Sequence, residues 1–185
     1  LAEARAAVAY YEGIASRSLS SLRGVLRDFE RIDGRKTLVM VTGGMMQSDR
    51  GSRPDNTTDL KLLGEWAAAA NTSFYIIQMD MSFLDAFSAV RRGPPNPQTL
   101  FRDRNMLSIG LERIVDSAGG ELIRVEAGTG DAAFARVLRE TETYYLLGVT
   151  PENRDRDGRT HLLRVEVAKD GLSVRNRKQV LIPKR

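Results

Sequence analysis

Three stretches of the chain combine side-chain oxygens with flexible backbone just where an apolar run gives way to a polar one. They are Thr42-Gly43-Gly44 with Ser48 and Asp49 shortly downstream, Asp80, and Ala127-Gly128-Thr129-Gly130. Hydroxyl and carboxylate oxygens of this kind suit a hard cation such as Mg²⁺. The donor set is too thin to name a metal, and the paired glycines are equally explained by a tight turn that needs an unusual backbone angle. The expectation is therefore a ligand-contact surface at Thr42, Gly43, Gly44, Ser48, Asp49 and Asp80 that uses no cofactor, with Mg²⁺ the one ion its donors would suit.

Catalytic chemistry has little to work with. The 185 residues include no Cys and one His, His161, so thiolate nucleophiles, disulfides and Cys- or His-rich metal sites are excluded. A serine hydrolase would need a G-x-S-x-G elbow and a His base, and the elbow is missing. Glu140 and Glu142 have no acid–base partner suggested by their spacing. Residues Gly128 to Ala133 match the dinucleotide fingerprint G-x-G-x-x-A between an expected strand and an expected helix. The match falls in the last βα unit, Asp131 would set a carboxylate near the phosphates, and the next strand ends in Thr150-Pro151 rather than an acidic ribose ligand. A nucleotide-dependent enzyme is thus the alternative, and a non-enzyme the expectation.

Lys and Arg outnumber Asp and Glu by 28 to 24, a formal charge of +4, and Arg175, Arg177, Lys178, Lys184 and Arg185 concentrate some of it at the end. A basic module for nucleic acid or an anionic polymer is a second alternative. No aromatic residues interleave with these cations to stack bases, and cations on an edge strand also prevent aggregation, so no nucleic-acid partner is expected. No apolar run approaches the roughly 20 residues of a membrane span, and the first thirty residues lack the pattern of a signal peptide. The chain opens at Leu1 without an initiator Met, which is compatible with a preceding segment.

The elements that would position these residues alternate between helix and strand. Apolar residues at Tyr11, Ala15, Leu22, Val25, Phe29 and Ile32 predict an amphipathic helix ending at Asp33-Gly34. Thr37-Leu38-Val39-Met40-Val41 predicts a strand buried on both faces. A helix capped by Thr57 or Thr58 should bury Leu60, Leu63, Ala67 and Ala70, and Phe74-Tyr75-Ile76-Ile77 should follow as a strand. Residues Arg91 to Pro97 read as an irregular surface loop because of their prolines. Asn105 is expected to cap a helix burying Leu107, Leu111, Ile114, Val115 and Ala118. A strand Glu121 to Val125, a helix from Asp131 and a strand Tyr144 to Val149 complete the repeat. Beyond Thr150, strands His161 to Ala168 and Leu172 to Ile182 joined at Asp170-Gly171 predict an antiparallel hairpin, able to pair with Tyr144 to Val149 at a sheet edge. The fold class is α/β, with an α/β unit over residues 1–150 and a hairpin extension over 151–185 packed on it.

Several of these pieces occur together in the VWFA-related proteins of the acidobacterial type, a branch of the von Willebrand factor type A superfamily. Gly34-Arg35-Lys36-Thr37-Leu38-Val39, Ala70-Asn71 with Tyr75 and Asp80, and Gly119-Gly120 resemble that family. So do Tyr144-Tyr145-Leu146-Leu147-Gly148-Val149-Thr150-Pro151, Asp157-Gly158, His161 and Gly171-Leu172-Ser173-Val174-Arg175-Asn176-Arg177. The resemblance implies a three-layer fold, a mainly parallel sheet with helices on both faces, and work in adhesion or assembly with a protein partner at a metal-ion-dependent adhesion site. It also implies a secreted or cell-envelope location. The family's Asp-x-Ser-x-Ser motif is absent, and Gly43 stands where Thr-Asp-Gly or Ser-Asp-Gly would carry a metal-side carboxylate. The resemblance therefore implies a degenerate site, lost or rebuilt around Asp49, and first strands that would precede Leu1 or be replaced by another chain.

Overall fold

Phe74, Tyr75, Ile76 and Ile77 follow one another without a polar residue, and such a run has no side that tolerates water. In the computed structural model, which describes residues 2–45, 57–80, 96–126, 129–145, 147–172, 174, 176 and 178–184, this run lies in the middle strand of a three-stranded parallel sheet. Strand β1 spans Lys36–Thr42, β2 Thr72–Met79 and β3 Gly120–Val125, in the order β1-β2-β3. Parallel neighbours require crossovers. Helix α1 (Ala2–Phe29) precedes β1, α2 (Thr57–Ala69) joins β1 to β2, α3 (Pro97–Ala118) joins β2 to β3, and α4 (Gly130–Glu142) follows β3. Strands β4 (Thr160–Leu162) and β5 (Gln179–Leu181) form a separate antiparallel pair. The expected α/β class, with helices flanking a parallel sheet and an antiparallel C-terminal pair, is present.

Side chains alternate across a strand, and along β2 this splits the core in two. Phe74 and Ile76 pack with Ala15, Leu19 and Leu26 of α1, Leu60, Leu63 and Ala67 of α2, and Leu111, Ile114 and Ala118 of α3. Tyr75 and Ile77 pack with Ile123 and Val125 of β3 and with Ala133 and Val137 of α4. Three helices therefore cover one face and α4 covers the other. Two glycines are required by close approach. A Cβ at Gly64 would lie 2.6 Å from the Ser117 Cβ, where α2 meets α3, and one at Gly120 would lie 1.7 Å from the Phe74 carbonyl oxygen. Gly120 also has a φ of 120°, a backbone state that L residues rarely adopt.

Four local expectations are corrected. Helix α1 ends at Phe29, and its buried stripe runs through Ala15, Leu19, Leu22, Leu26 and Phe29, leaving Tyr11, Val25 and Ile32 exposed. Among the described residues, strand β1 lies at an edge of the sheet, so Val39 and Val41 are 40% and 48% exposed and only β2 has the two-sided burial. Helix α3 begins at Pro97, and the Asn96 side chain accepts from the Gln98 N–H at 2.9 Å, so Asn105 lies within the helix. Proline suits a first helical turn, where its missing N–H has no partner to lose. Residues 91–95, assigned with Pro97 to a loop, lie outside the described residues.

The fourth correction concerns the C-terminal part. Among the described residues of 144–149 there is no strand, and Tyr144, Tyr145, Leu147 and Val149 are exposed. Arg35 sits over the Tyr144 ring, 5.1 Å from its centroid, which holds the start of this segment beside the first residues of β1. The β4–β5 ladder is only three residues per strand, extended by the Leu163 N–H donating to the Lys178 carbonyl at 2.8 Å. The pair packs on α2, and Lys178 Nζ reaches Asp116 of α3 at 2.7 Å. Contacts with helices thus replace the expected pairing with residues 144–149. The turn at Asp170-Gly171 is present, with Gly171 at a φ of 79°.

Candidate functional site

In an open parallel sheet, ligands bind beyond the carboxyl ends of the strands. Here the register sets Thr42 beside Gln78 and Gln78 beside Arg124, with Asp80 and Glu126 following as the chain leaves β2 and β3. The Asp80 N–H donates to the Val125 carbonyl at 2.8 Å, which prolongs the ladder past β2 and fixes the Asp80 backbone. Its carboxylate lies 2.8 Å from a guanidinium nitrogen of Arg104 on α3, both side chains being partly exposed.

The loop after β1 is held in place by its own polar groups. The Thr42 hydroxyl donates to the Gly44 carbonyl at 3.2 Å, and its oxygen accepts the Gly44 N–H at 3.1 Å. The Met45 N–H donates to the Leu107 carbonyl at 2.9 Å, which fastens the loop to α3, and Met45 itself is buried. Gly44 has a φ of 149°, and a Cβ there would stand 2.7 Å from the Leu107 Cβ. Glycine is thus required at 44 for close packing on α3. Gly43 has no side chain to offer, and the Thr42 hydroxyl already serves the turn, so neither supplies an uncommitted side-chain oxygen.

Of the residues expected in the site, Thr42, Gly43, Gly44 and Asp80 share the strand-end side of the sheet. Ser48 and Asp49 lie outside the described residues, so a metal site rebuilt around Asp49 falls outside them too. Three residues were not foreseen. Arg104 is brought to Asp80 by the docking of α3 on β2. Gln78 and Ser108 form a buried pair beneath them, the Ser108 hydroxyl donating to Gln78 Oε1 at 2.9 Å. The polar Gln78 at the end of an apolar strand was the one available signal.

In the Gly128–Ala133 run, residues 127 and 128 lie outside the described residues. Gly130 opens α4 without a positive φ and with open space where a Cβ would stand, so neither backbone shape nor close approach requires glycine there. The Thr129 hydroxyl donates to the Glu126 carbonyl at 2.9 Å and accepts the Glu126 N–H at 3.2 Å, closing the loop on itself. Ala133 is buried against β2 and β3, a packing role sufficient to explain its small size.

Among the described residues, no three His, Cys, Asp or Glu side chains are gathered as a metal-holding group. No helix among them is long and apolar enough to cross a membrane. Comparison with family models, with curated proteins and with solved structures finds no match to this chain.

Proposed function

We propose that the chain is a non-enzymatic binding module of the von Willebrand A type that engages a protein partner in adhesion or assembly. The contact face is the strand-end surface of residues 42–49, Asp80 and the loop after Val125, and it works without metal. A secreted or envelope location accompanies this reading. The observation that carries it is the Asp80–Arg104 pair at the mouth of the middle strand. There the Asp80 carboxylate already has a cationic side chain beside it, and Thr42 and Gly43 add no uncommitted side-chain oxygen. Mg²⁺ demands near-octahedral oxygen coordination, and this surface instead offers mixed charge and a loop fastened to α3. Such features suit the polar rim of a protein contact.

Two measurements test the reading. Melting of the full chain with Mg²⁺, Mn²⁺, Ca²⁺ or chelator should be the same within error, because a ligand of the native state raises stability by mass action. A rise in Tm with one of these ions that vanishes in Asp80→Ala would overturn metal independence. A photo-crosslinking residue at Glu126 should give a discrete protein adduct in producing cells, diminished by Arg104→Glu and not obtained from Asp170 in the hairpin. Equal adducts from both positions, or none, would overturn the assigned contact face.

A further inference from the structure

Among the described residues, Val137 of α4 is the last one that is buried. Beyond it, Leu147, Val149, Leu162, Leu172 and Leu181 are exposed, and no described residue joins either apolar cluster. Leu163, Val165, Val180 and Ile182 reach half-burial and no more. Helices α2 and α3, by contrast, bring Leu63, Leu111 and Ile114 to complete burial. Buried apolar surface is what makes the docking of one element on another lasting, and an element with little of it opens at low cost.

Residues 150–184 are nevertheless bonded to one another. The Gly158 N–H donates to the Ile182 carbonyl at 3.1 Å, the Ile182 N–H to the Arg159 carbonyl at 3.1 Å, and the Leu163 N–H to the Lys178 carbonyl at 2.8 Å. Asp157 accepts from the Arg159 N–H at 2.8 Å, and its carboxylate lies 3.0 Å from His161 Nε2. The attachment to the rest of the chain is of another kind. Strand β5 packs on α2, and Lys178 Nζ lies 2.7 Å from the Asp116 carboxylate of α3, both side chains being more than half exposed. An exposed ion pair is weak and is screened by salt.

The connection back to α4 leaves room for movement. Thr143 closes α4 in an extended conformation, with φ −128° and ψ 129°. The Arg35 guanidinium, 5.1 Å from the Tyr144 ring centroid, clasps the next residue beside the start of β1. After that clasp Tyr145, Leu147, Gly148 and Val149 are exposed and belong to no helix or strand.

We infer that residues 150–184 form a hinged arm, which docks on α2 and swings away as a unit about Tyr145, Leu147, Gly148 and Val149, with the Lys178–Asp116 pair as its latch. Low ionic strength holds the arm docked, and screening releases it. Asp116 stands in the last turn of α3, just before β3 begins, so the latch lies at the end of the sheet remote from Asp80. The swing leaves the strand-end face as it is, and the two readings fail separately.

The chain contains no Cys, so introduced cysteines take spin labels cleanly. Labels at Asp170 in the hairpin turn and at Asp28 of α1, both exposed positions, report the distance from arm to body in the full chain by pulsed electron resonance. A short and a long distance are expected, the ratio of long to short rising about twofold or more between about 0.02 M and about 1 M salt. Lys178→Glu should raise that ratio about threefold or more at low salt, and adding Asp116→Lys should bring it back, a rescue that a general loss of folding would not show. A single distance at every salt concentration would overturn the inference. So would two distances whose ratio ignores salt and the charge changes, or a Lys178→Glu effect that Asp116→Lys does not reverse.

Discussion

Replacing Ser108 by Ala should destabilise the protein far more than the loss of one hydroxyl would suggest. The Ser108 hydroxyl donates to Gln78 Oε1 at 2.9 Å, and both residues are buried. Without its donor, the Gln78 carbonyl remains desolvated and unsatisfied, a cost of roughly 1–3 kcal/mol. At about 2–4 °C per kcal/mol for a chain of this size, Ser108→Ala should melt several degrees early. Gln78→Met should cost less, because a helical serine hydroxyl can turn back to a carbonyl one turn earlier. The double variant exchanges a polar pair for an apolar one of similar shape and should cost less than the sum of the single changes by about 1 kcal/mol or more. Urea denaturation of the four proteins gives the coupling directly. Additive effects, with coupling within about 0.3 kcal/mol, would refute the claim that this pair holds α3 against the end of β2. Because α3 also carries Arg104 to Asp80, the cycle tests the frame of the strand-end face as well.

Three further outcomes follow from the packing. Gly120→Ala should abolish folding or shift the urea midpoint by an amount equivalent to several kcal/mol, because its Cβ would overlap the Phe74 carbonyl and force apart a backbone that cannot yield cheaply. Arg136→Met should cost roughly 1–3 kcal/mol, since it strips the shared donor from the partly buried carboxylates of Glu121 and Glu140. Its guanidinium is held still more firmly protonated, first by the hydrogen bond to Glu140. The deficit of this variant measured by urea should shrink as pH falls toward carboxylate protonation, and a pH-independent deficit would count against the shared ion pair. Finally, the Asp157 carboxyl titrates below its ordinary range, chiefly because His161 Nε2 lies 3.0 Å from it, with the Arg159 N–H adding to the effect. A depressed folded value stabilises the protein above the unfolded value and is lost as pH falls through the folded one. The β4–β5 pair should therefore loosen below about pH 4, and Asp157→Asn should remove that acid step from the Thr160 and His161 amide shifts.

What the sequence made legible was set by local chemistry. The run Phe74 to Ile77 announced a strand, and the spacing of Leu60, Leu63, Ala67 and Ala70 announced the buried stripe of α2, because both follow from local pattern alone. The errors came where tertiary position decides. Thr37 to Val41 has nearly the apolar density of β2 yet lies at an edge, and no pattern within a strand says how many neighbours it has. Residues 144–149 are rich in aromatic and β-branched types, but strand propensity is realised only against a partner strand, and the hairpin packs on α2 instead. Pro97 was read as a breaker when its place at the first turn makes it a helix starter.

The same division explains the candidate site. Thr42, Gly43, Gly44 and Asp80 were found from strand ends, a local signal joined to a general rule about parallel sheets. Arg104 lies more than twenty residues beyond Asp80 and meets it only because the buried face of α3 fixes the helix's rotation on β2. That pairing alters the chemistry assigned to the site, since a lone strand-end carboxylate would invite a cation, whereas one beside a guanidinium already has its counter-charge. An exposed ion pair of this kind contributes only about 0–1 kcal/mol, so it does not by itself bar a metal. The stronger argument is the side-chain donor set, in which Gly43 adds no oxygen and the Thr42 hydroxyl is committed to Gly44. On the proposed reading a metal would have to share the Thr42 hydroxyl with the turn it already holds, and a protein partner would not.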